Sequence, residues 1–132
     1  MRRVLFRSAT PLIILFAGAA LLLGGCEAMK KAEAAKHMEI TTPHIARVPD
    51  GTYGGSYDAG LTRVELETTV REGRITSIEI LRHDKGKGKK AESIVEDVIR
   101  EQSLDVDAIS GATISSKVIL KAAEHSLRKG LE

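Results

Sequence analysis

The strongest constraint on this chain is a period of two. From Leu61 to Val70 the side chains alternate, with Val64, Leu66, Thr68 and Val70 on one face and Arg63, Glu65, Glu67 and Thr69 on the other. One apolar and one wet face describe an antiparallel, half-exposed strand. Glu72-Gly73 is a hairpin turn signal. Arg74 to Leu81 (RITSIEIL) then returns as a strand rich in β-branched residues. Before this hairpin, Gly51 to Tyr57 reads as a short, Gly-interrupted strand, with Tyr53 and Tyr57 as packing residues and Asp58-Ala-Gly60 as a turn. After it the period lengthens. Ile94, Val95, Val98 and Ile99 recur at helical spacing between Ala91 and Gln102, with Asp97 and Glu101 on the wet face. A last helix begins near Thr113 or Ile114 and runs to about Lys129, stopped by Gly130. His125 borders its apolar side as a partly buried histidine. The expected fold class is α+β: a small twisted antiparallel sheet packed by two helices.

The first 49 residues read differently. Met1 to Arg7 is short and basic, and Pro11 to Leu23 (PLIILFAGAALLL) is almost wholly apolar. A membrane span needs about 20 apolar residues. A short apolar core after a basic flank is instead the pattern of a secretory signal peptide. Leu23-Gly24-Gly25-Cys26 resembles the lipobox of bacterial lipoproteins. That resemblance implies cleavage before Cys26, a diacylglycerol on its thiol, and a chain held on the outer side of the cell membrane. Cys26 is the sole cysteine, so no disulfide within the chain competes for it. More than one acyl chain gives stable anchoring where one is marginal. The alternative is an uncleaved anchor with a free or buried thiol. Residues 27 to 49, rich in Ala, Lys and Glu and then in turn residues, read as a tether, with His37 and His44 as solvated linker histidines.

Composition narrows the functions. The formal net charge is +2. Arg2, Arg3 and Arg7 account for three of the 20 Lys and Arg, and the first 25 residues hold no acid, so the remainder carries 17 bases against 18 acids. A near-neutral domain lacks the basic surface that nucleic acid requires. Trp is absent, and both Phe residues lie in the first 25, which removes base-stacking platforms. The four histidines show no metal-ligand spacing. Ser110-Gly-Ala-Thr113 lacks the frame of a nucleophile elbow.

The chemistry lies in Asp105-Val-Asp-Ala-Ile-Ser-Gly-Ala-Thr-Ile-Ser-Ser116. It reads as a tight turn opening a helix. Gly111 permits a left-handed backbone or a close approach. A hydroxyl at the start of a helix stands among free N–H groups and the positive end of the dipole, where a phosphate is favoured. The same residues also suit plain capping, with Ser110 or Thr113 satisfying the first amides. The lysines of the loop Asp84 to Lys90 (DKGKGKK) read as solvated, with a phosphate contact as the lesser alternative.

Asp107-x-x-Ser110-Gly111-Ala112-Thr113 resembles the flavinylation motif of the FMN-binding domain family. That family includes the C subunit of the sodium-translocating NADH:quinone reductase, the G subunit of Rnf complexes and small bacterial lipoproteins. Asp50-Gly-Thr-Tyr-x-Gly-x-Tyr57, Val70-x-x-Gly73-x-Ile75-x-x-Ile78 and Gln102-Ser-x-Asp105-Val-Asp107 extend the likeness over residues 50 to 129. It implies that an FAD:protein FMN transferase places FMN on Thr113 as a phosphoester. Ser110, Gly111 and Ala112 would present the acceptor, and Asp107 would steady the turn or be read by the transferase. Longer members carry a Glu-Thr-Pro-Gly-like segment beside the flavin. Here His83-Asp84-Lys85-Gly86 stands in that region, which makes His83 a candidate flavin neighbour.

The implied organisation is a lipoprotein signal peptide over 1–25, a lipidated Cys26 with a flexible tether over 26–49, and an FMN-binding domain over 50–132. The implied function is a membrane-anchored flavoprotein that shuttles electrons between membrane or extracytosolic redox partners. It is a carrier more than a self-sufficient enzyme, since no substrate pocket shows in the sequence. Two other readings stand beside it: a non-redox binding lipoprotein with Thr113 as a helix cap, and a small flavin-dependent reductase.

Overall fold

The computed structural model describes residues 25–84 and 88–132. The expected signal segment, up to residue 24, and Lys85, Gly86 and Lys87 of the basic loop lie outside the described residues. Strands β1 (Gly51–Asp58), β2 (Arg63–Arg71) and β3 (Arg74–Asp84) form one antiparallel sheet in the order β1-β2-β3. Helix α1 covers 25–36. Helices α2 (Gly88–Ala91), α3 (Ile94–Glu101) and α4 (Thr113–Gly130) follow the sheet. The class is α+β, as the periodicities require.

The alternation of β2 sets the core. Val64, Leu66, Thr68 and Val70 are all buried. They meet Ile75 and Ile78 of β3, Ile94 and Val98 of α3, and Val118, Ile119, Ala122, Ala123 and Leu127 of α4. Each Val, Leu or Ile among them contributes about 1.5–3 kcal/mol when fully buried. The outward residues of β1, among them Thr52, Gly54 and Ser56, are exposed.

Helix α4 crosses β1 at contact distance. A Cβ on Gly55 would stand 2.1 Å from the Ala122 carbonyl oxygen and 2.7 Å from the Ser126 nitrogen, so only glycine fits. The buried Thr68 and Ser126 hydroxyls lie 2.7 Å apart, and Ser126 also donates to the Ala123 carbonyl at 2.7 Å. A buried hydroxyl pair within hydrogen-bond distance avoids the cost of leaving a polar group unpaired.

Several elements depart from the sequence reading. Strand β3 runs three residues past Leu81, because two irregularities in the pairing with β2 shift its register. Leu66 pairs with Ile80 but Glu65 with Arg82, so Leu81 is the extra residue of a bulge, and it is 55% exposed. The helix expected over 91–102 is interrupted at residues 92 and 93, giving α2 and α3. Gln102 ends α3 in a left-handed conformation with φ 51°. Its amide accepts from the Ile75 N–H and donates to the Ile75 carbonyl, both at 2.8 Å.

Much of the stretch expected as a flexible tether packs on the domain. Ala32, Ala35, Pro43 and Val48 are buried. Lys117 donates to the Met38 carbonyl and Lys121 to the Glu39 carbonyl, each at 3.1 Å. The Thr41 N–H donates to Glu124 at 3.2 Å. The physical reason is backbone recognition: α4 side chains bind main-chain atoms of residues 38–41, which no side-chain pattern announces.

Glu124 of α4 is 3% exposed. Burial pushes its carboxyl up. Hydrogen bonds from Lys121 (2.9 Å), the Thr41 N–H and Arg128 (2.8 Å) outweigh this and hold it below the usual carboxylate range. A carboxyl depressed in the folded state adds stability above its unfolded pKa and loses it as pH falls through the folded value. Glu124→Gln is therefore expected to lower stability by about 1–3 kcal/mol at neutral pH. Urea titrations from pH 7 down to pH 3 should show the difference from wild type shrinking towards the acid end.

Candidate functional site

The turn before α4 is built as its residues require. The Ala112 N–H donates to the Ile109 carbonyl at 2.9 Å, closing a four-residue turn. Gly111 sits within it at φ 77°, a backbone region that a side chain disfavours. Ala112 is buried and anchors the turn in the core. Ser110, Gly111 and Thr113 are exposed. Thr113 is the first residue of α4.

Ala112, not a hydroxyl residue, stands at the N-cap, and no side chain hydrogen-bonds to the cap. The first turn holds no acid. Neither Ser110 nor Thr113 is thus spent on capping. The start of α4 leaves N–H groups and the positive dipole end directed outward beside the Thr113 hydroxyl, the arrangement that favours an anion.

The side chain that holds the turn is Ser116. It is fully buried, its hydroxyl donates to the Ala112 carbonyl at 2.8 Å, and it accepts from the Ile109 N–H at 3.0 Å. One hydroxyl thus ties both ends of the turn to the first helical turn. The sequence reading quoted Ser116 but gave it no role. Its signal was its place three residues after Thr113, on the side of the helix that faces inward.

Lys90 lies at the same place. Its Nζ is 3.6 Å from where a Cβ on Gly111 would stand. Lys90, exposed as expected for a solvated run, thus also flanks the turn.

His83 is at the end of β3, paired with Val64 of β2. Its side chain is 4% exposed, with Nδ1 3.3 Å from Glu92. Nε2 is buried without a hydrogen-bond partner among the described residues. The ring lies against Gly88 of α2, and α2 packs on α4. His83 thus lies against Gly88 of α2, and Lys90 of the same helix lies against the Thr113 turn. Asp107 is exposed in the loop before the turn, beside an open cleft of about 260 Å³ that Asp97, Arg100 and Asp105 also line. It makes no hydrogen bond to the turn. Cys26 is exposed on α1. His125, expected to be partly buried, is exposed, with Nδ1 2.9 Å from the Ser56 carbonyl and its ring edge-on to Tyr57 at 5.8 Å. Among the described residues no three His, Cys, Asp or Glu are grouped to hold a metal. No helix there is long and apolar enough to cross a membrane.

A small α+β domain with an uncapped, exposed helix start offers free N–H groups that would suit an anion. The family model of the FMN-binding domain matches residues 60–128. That is more than half of the chain, and the protein belongs to the FMN-binding domain family. Membership supports FMN as cofactor and an electron-transfer role. An uncharacterised protein of Treponema pallidum (strain Nichols) is 29% identical over 119 residues, covering 83% of this chain and 33% of that protein. The chain therefore spans about a third of the length of that relative.

The geometry separates two substitutions. Gly111→Ala forces an alanine into the left-handed region and is expected to cost about 1–2 kcal/mol. Ser116→Ala strips a partner from the Ile109 N–H and is expected to cost about 1–3 kcal/mol. Denaturant unfolding checks both, and amide exchange at Ile109 should rise in Ser116→Ala above the change at core amides.

Proposed function

We propose that Thr113 carries FMN as a phosphoester and that the chain is a lipid-anchored electron carrier outside the cytoplasm, matured by an FAD:protein FMN transferase. The observation that carries this reading is the start of α4. Its hydroxyl residue is exposed and uncommitted, its first turn has no acid, and no side chain caps it. A domain that only needed a capped helix would place Ser110 or Thr113 on the free amides.

The residues fit the group. Thr113 Oγ1 would hold the phosphate. The first N–H groups of α4 and the Lys90 ammonium would face its remaining charge. Ser116 and Gly111 hold the acceptor outward, where a transferase reaches it, and exposed Asp107 is available for that enzyme to read. FMN would supply the redox chemistry, and the chain supplies attachment, position and charge. Covalent attachment also suits a protein outside the cytoplasm, because dilution cannot remove the cofactor. The exposed Thr113 fits exchange with a partner more than turnover of an enclosed substrate. Cys26 would bear the lipid, with membrane or extracytosolic proteins or carriers as redox partners.

The test is intact mass and in-gel flavin fluorescence after co-expression with an FAD:protein FMN transferase. Wild type is expected to gain the mass of one FMN less water and to fluoresce after denaturation. Thr113→Val is expected to do neither while unfolding at the wild-type denaturant midpoint. An unmodified wild type, beside a control substrate that the same transferase modifies, overturns the attachment.

A further inference from the structure

One end of the molecule gathers features that the flavin site alone does not explain. The ladder ends with Asp58 of β1 opposite Arg63 of β2, and Arg63 opposite Asp84 of β3. The β1–β2 turn and the exit of β3 into α2 therefore share an end. Helix α4 starts there too. Its far residue Gly130 lies against Tyr53 and Val48, its middle lies against Gly55, and its start lies beside Lys90 of α2. The beginning of α1 reaches the same end. A Cβ on Gly60 would stand 2.9 Å from the Ala28 carbonyl oxygen and 3.0 Å from its Cα. Cys26 precedes Ala28 by two residues on that helix, about 3 Å along its axis. The expected lipid attachment and the expected flavin attachment thus lie at one end.

The surface of that end has a matching character. Met29 is 67% exposed and Leu61 48% exposed. Lys30, Lys31, Lys89 and Lys90 are all exposed. Most acids nearby are engaged: Glu33 with Lys36 (2.8 Å), Asp84 with Arg82 (2.7 Å), Glu92 with His83, and Asp58 with the Gly60 N–H (2.7 Å). Glu27 and, in the loop leading to the Thr113 turn, Asp107 are exposed acids outside these pairs. Exposed apolar side chains ringed by lysines suit an anionic bilayer surface, with the ammonium groups at the headgroups and the apolar tips in the interface. The packing of residues 38–41 on α4 leaves α1 no long free leash.

We propose that this end docks on the anionic bilayer that Cys26 anchors, with the Thr113 turn held at the membrane surface. The docking rests on the lipid reading of Cys26. Its meaning for electron transfer rests on the flavin reading of Thr113, and implies redox partners resident in the bilayer.

The natural chain has no Trp, so Leu61→Trp and Leu131→Trp each create a single reporter at opposite ends. The lipidated protein, prepared without transferase and hence without flavin, is reconstituted in phosphatidylethanolamine–phosphatidylglycerol vesicles containing brominated acyl chains. Bromolipid is expected to quench Leu61→Trp several-fold more than Leu131→Trp. Adding Lys30→Glu, Lys31→Glu and Lys89→Glu, or replacing phosphatidylglycerol with a neutral lipid, is expected to reduce the difference. Equal quenching in protein that floats with the vesicles overturns the docking and leaves the anchor standing. Protein that does not float overturns the anchor and the docking with it. Failure of flavinylation is read separately, by mass, and changes neither fluorescence result.

Discussion

Everything in this domain depends on how closely α4 can approach the sheet. The helix does not rest on a layer of side chains over β1. It touches the strand backbone at Gly55, where a methyl group would overlap the Ala122 carbonyl. That proximity lets the Ser126 and Thr68 hydroxyls meet and lets Val118, Ile119, Ala122 and Leu127 reach Val64, Leu66 and Val70. It also fixes where the helix begins. The Thr113 turn is a consequence of that seating, because the first turn of α4 carries Ser116, and Ser116 holds the turn by both ends.

The polar contacts of α4 have a second role. Lys117, Lys121 and Glu124 bind backbone atoms of residues 38–41. One helix therefore organises the sheet face, the acceptor turn and the segment leading from Cys26. Long lysine side chains are well suited to this, since their stems lie along the helix while the ammonium group reaches a carbonyl.

Where structure follows side-chain periodicity, the sequence was legible. The inward set of β2 and the span of α4 could both be read directly, and so could the motif at Asp107 to Thr113. The family likeness drawn from that motif agrees with the match over residues 60–128. Illegible features share one cause: they depend on backbone groups or on register. The bulge at Leu81 turns His83 inward, so an apparently loop-bound histidine becomes buried beside Glu92. Glu124 looks like a solvated acid until the Thr41 N–H and two basic side chains are brought to it. Ser116 looks like one of two interchangeable serines, yet Ser115 makes no such bonds to the turn. Tether composition gave no hint of the carbonyls that α4 binds.

Gln102 carries a consequence of its own. It takes a left-handed backbone where glycine would be easier, and its side chain satisfies both main-chain groups of Ile75 on the open edge of β3. An unpaired edge is a template for a foreign strand. Here a single amide occupies the main-chain groups of Ile75, so an incoming strand would have to displace Gln102 before it could pair at that residue.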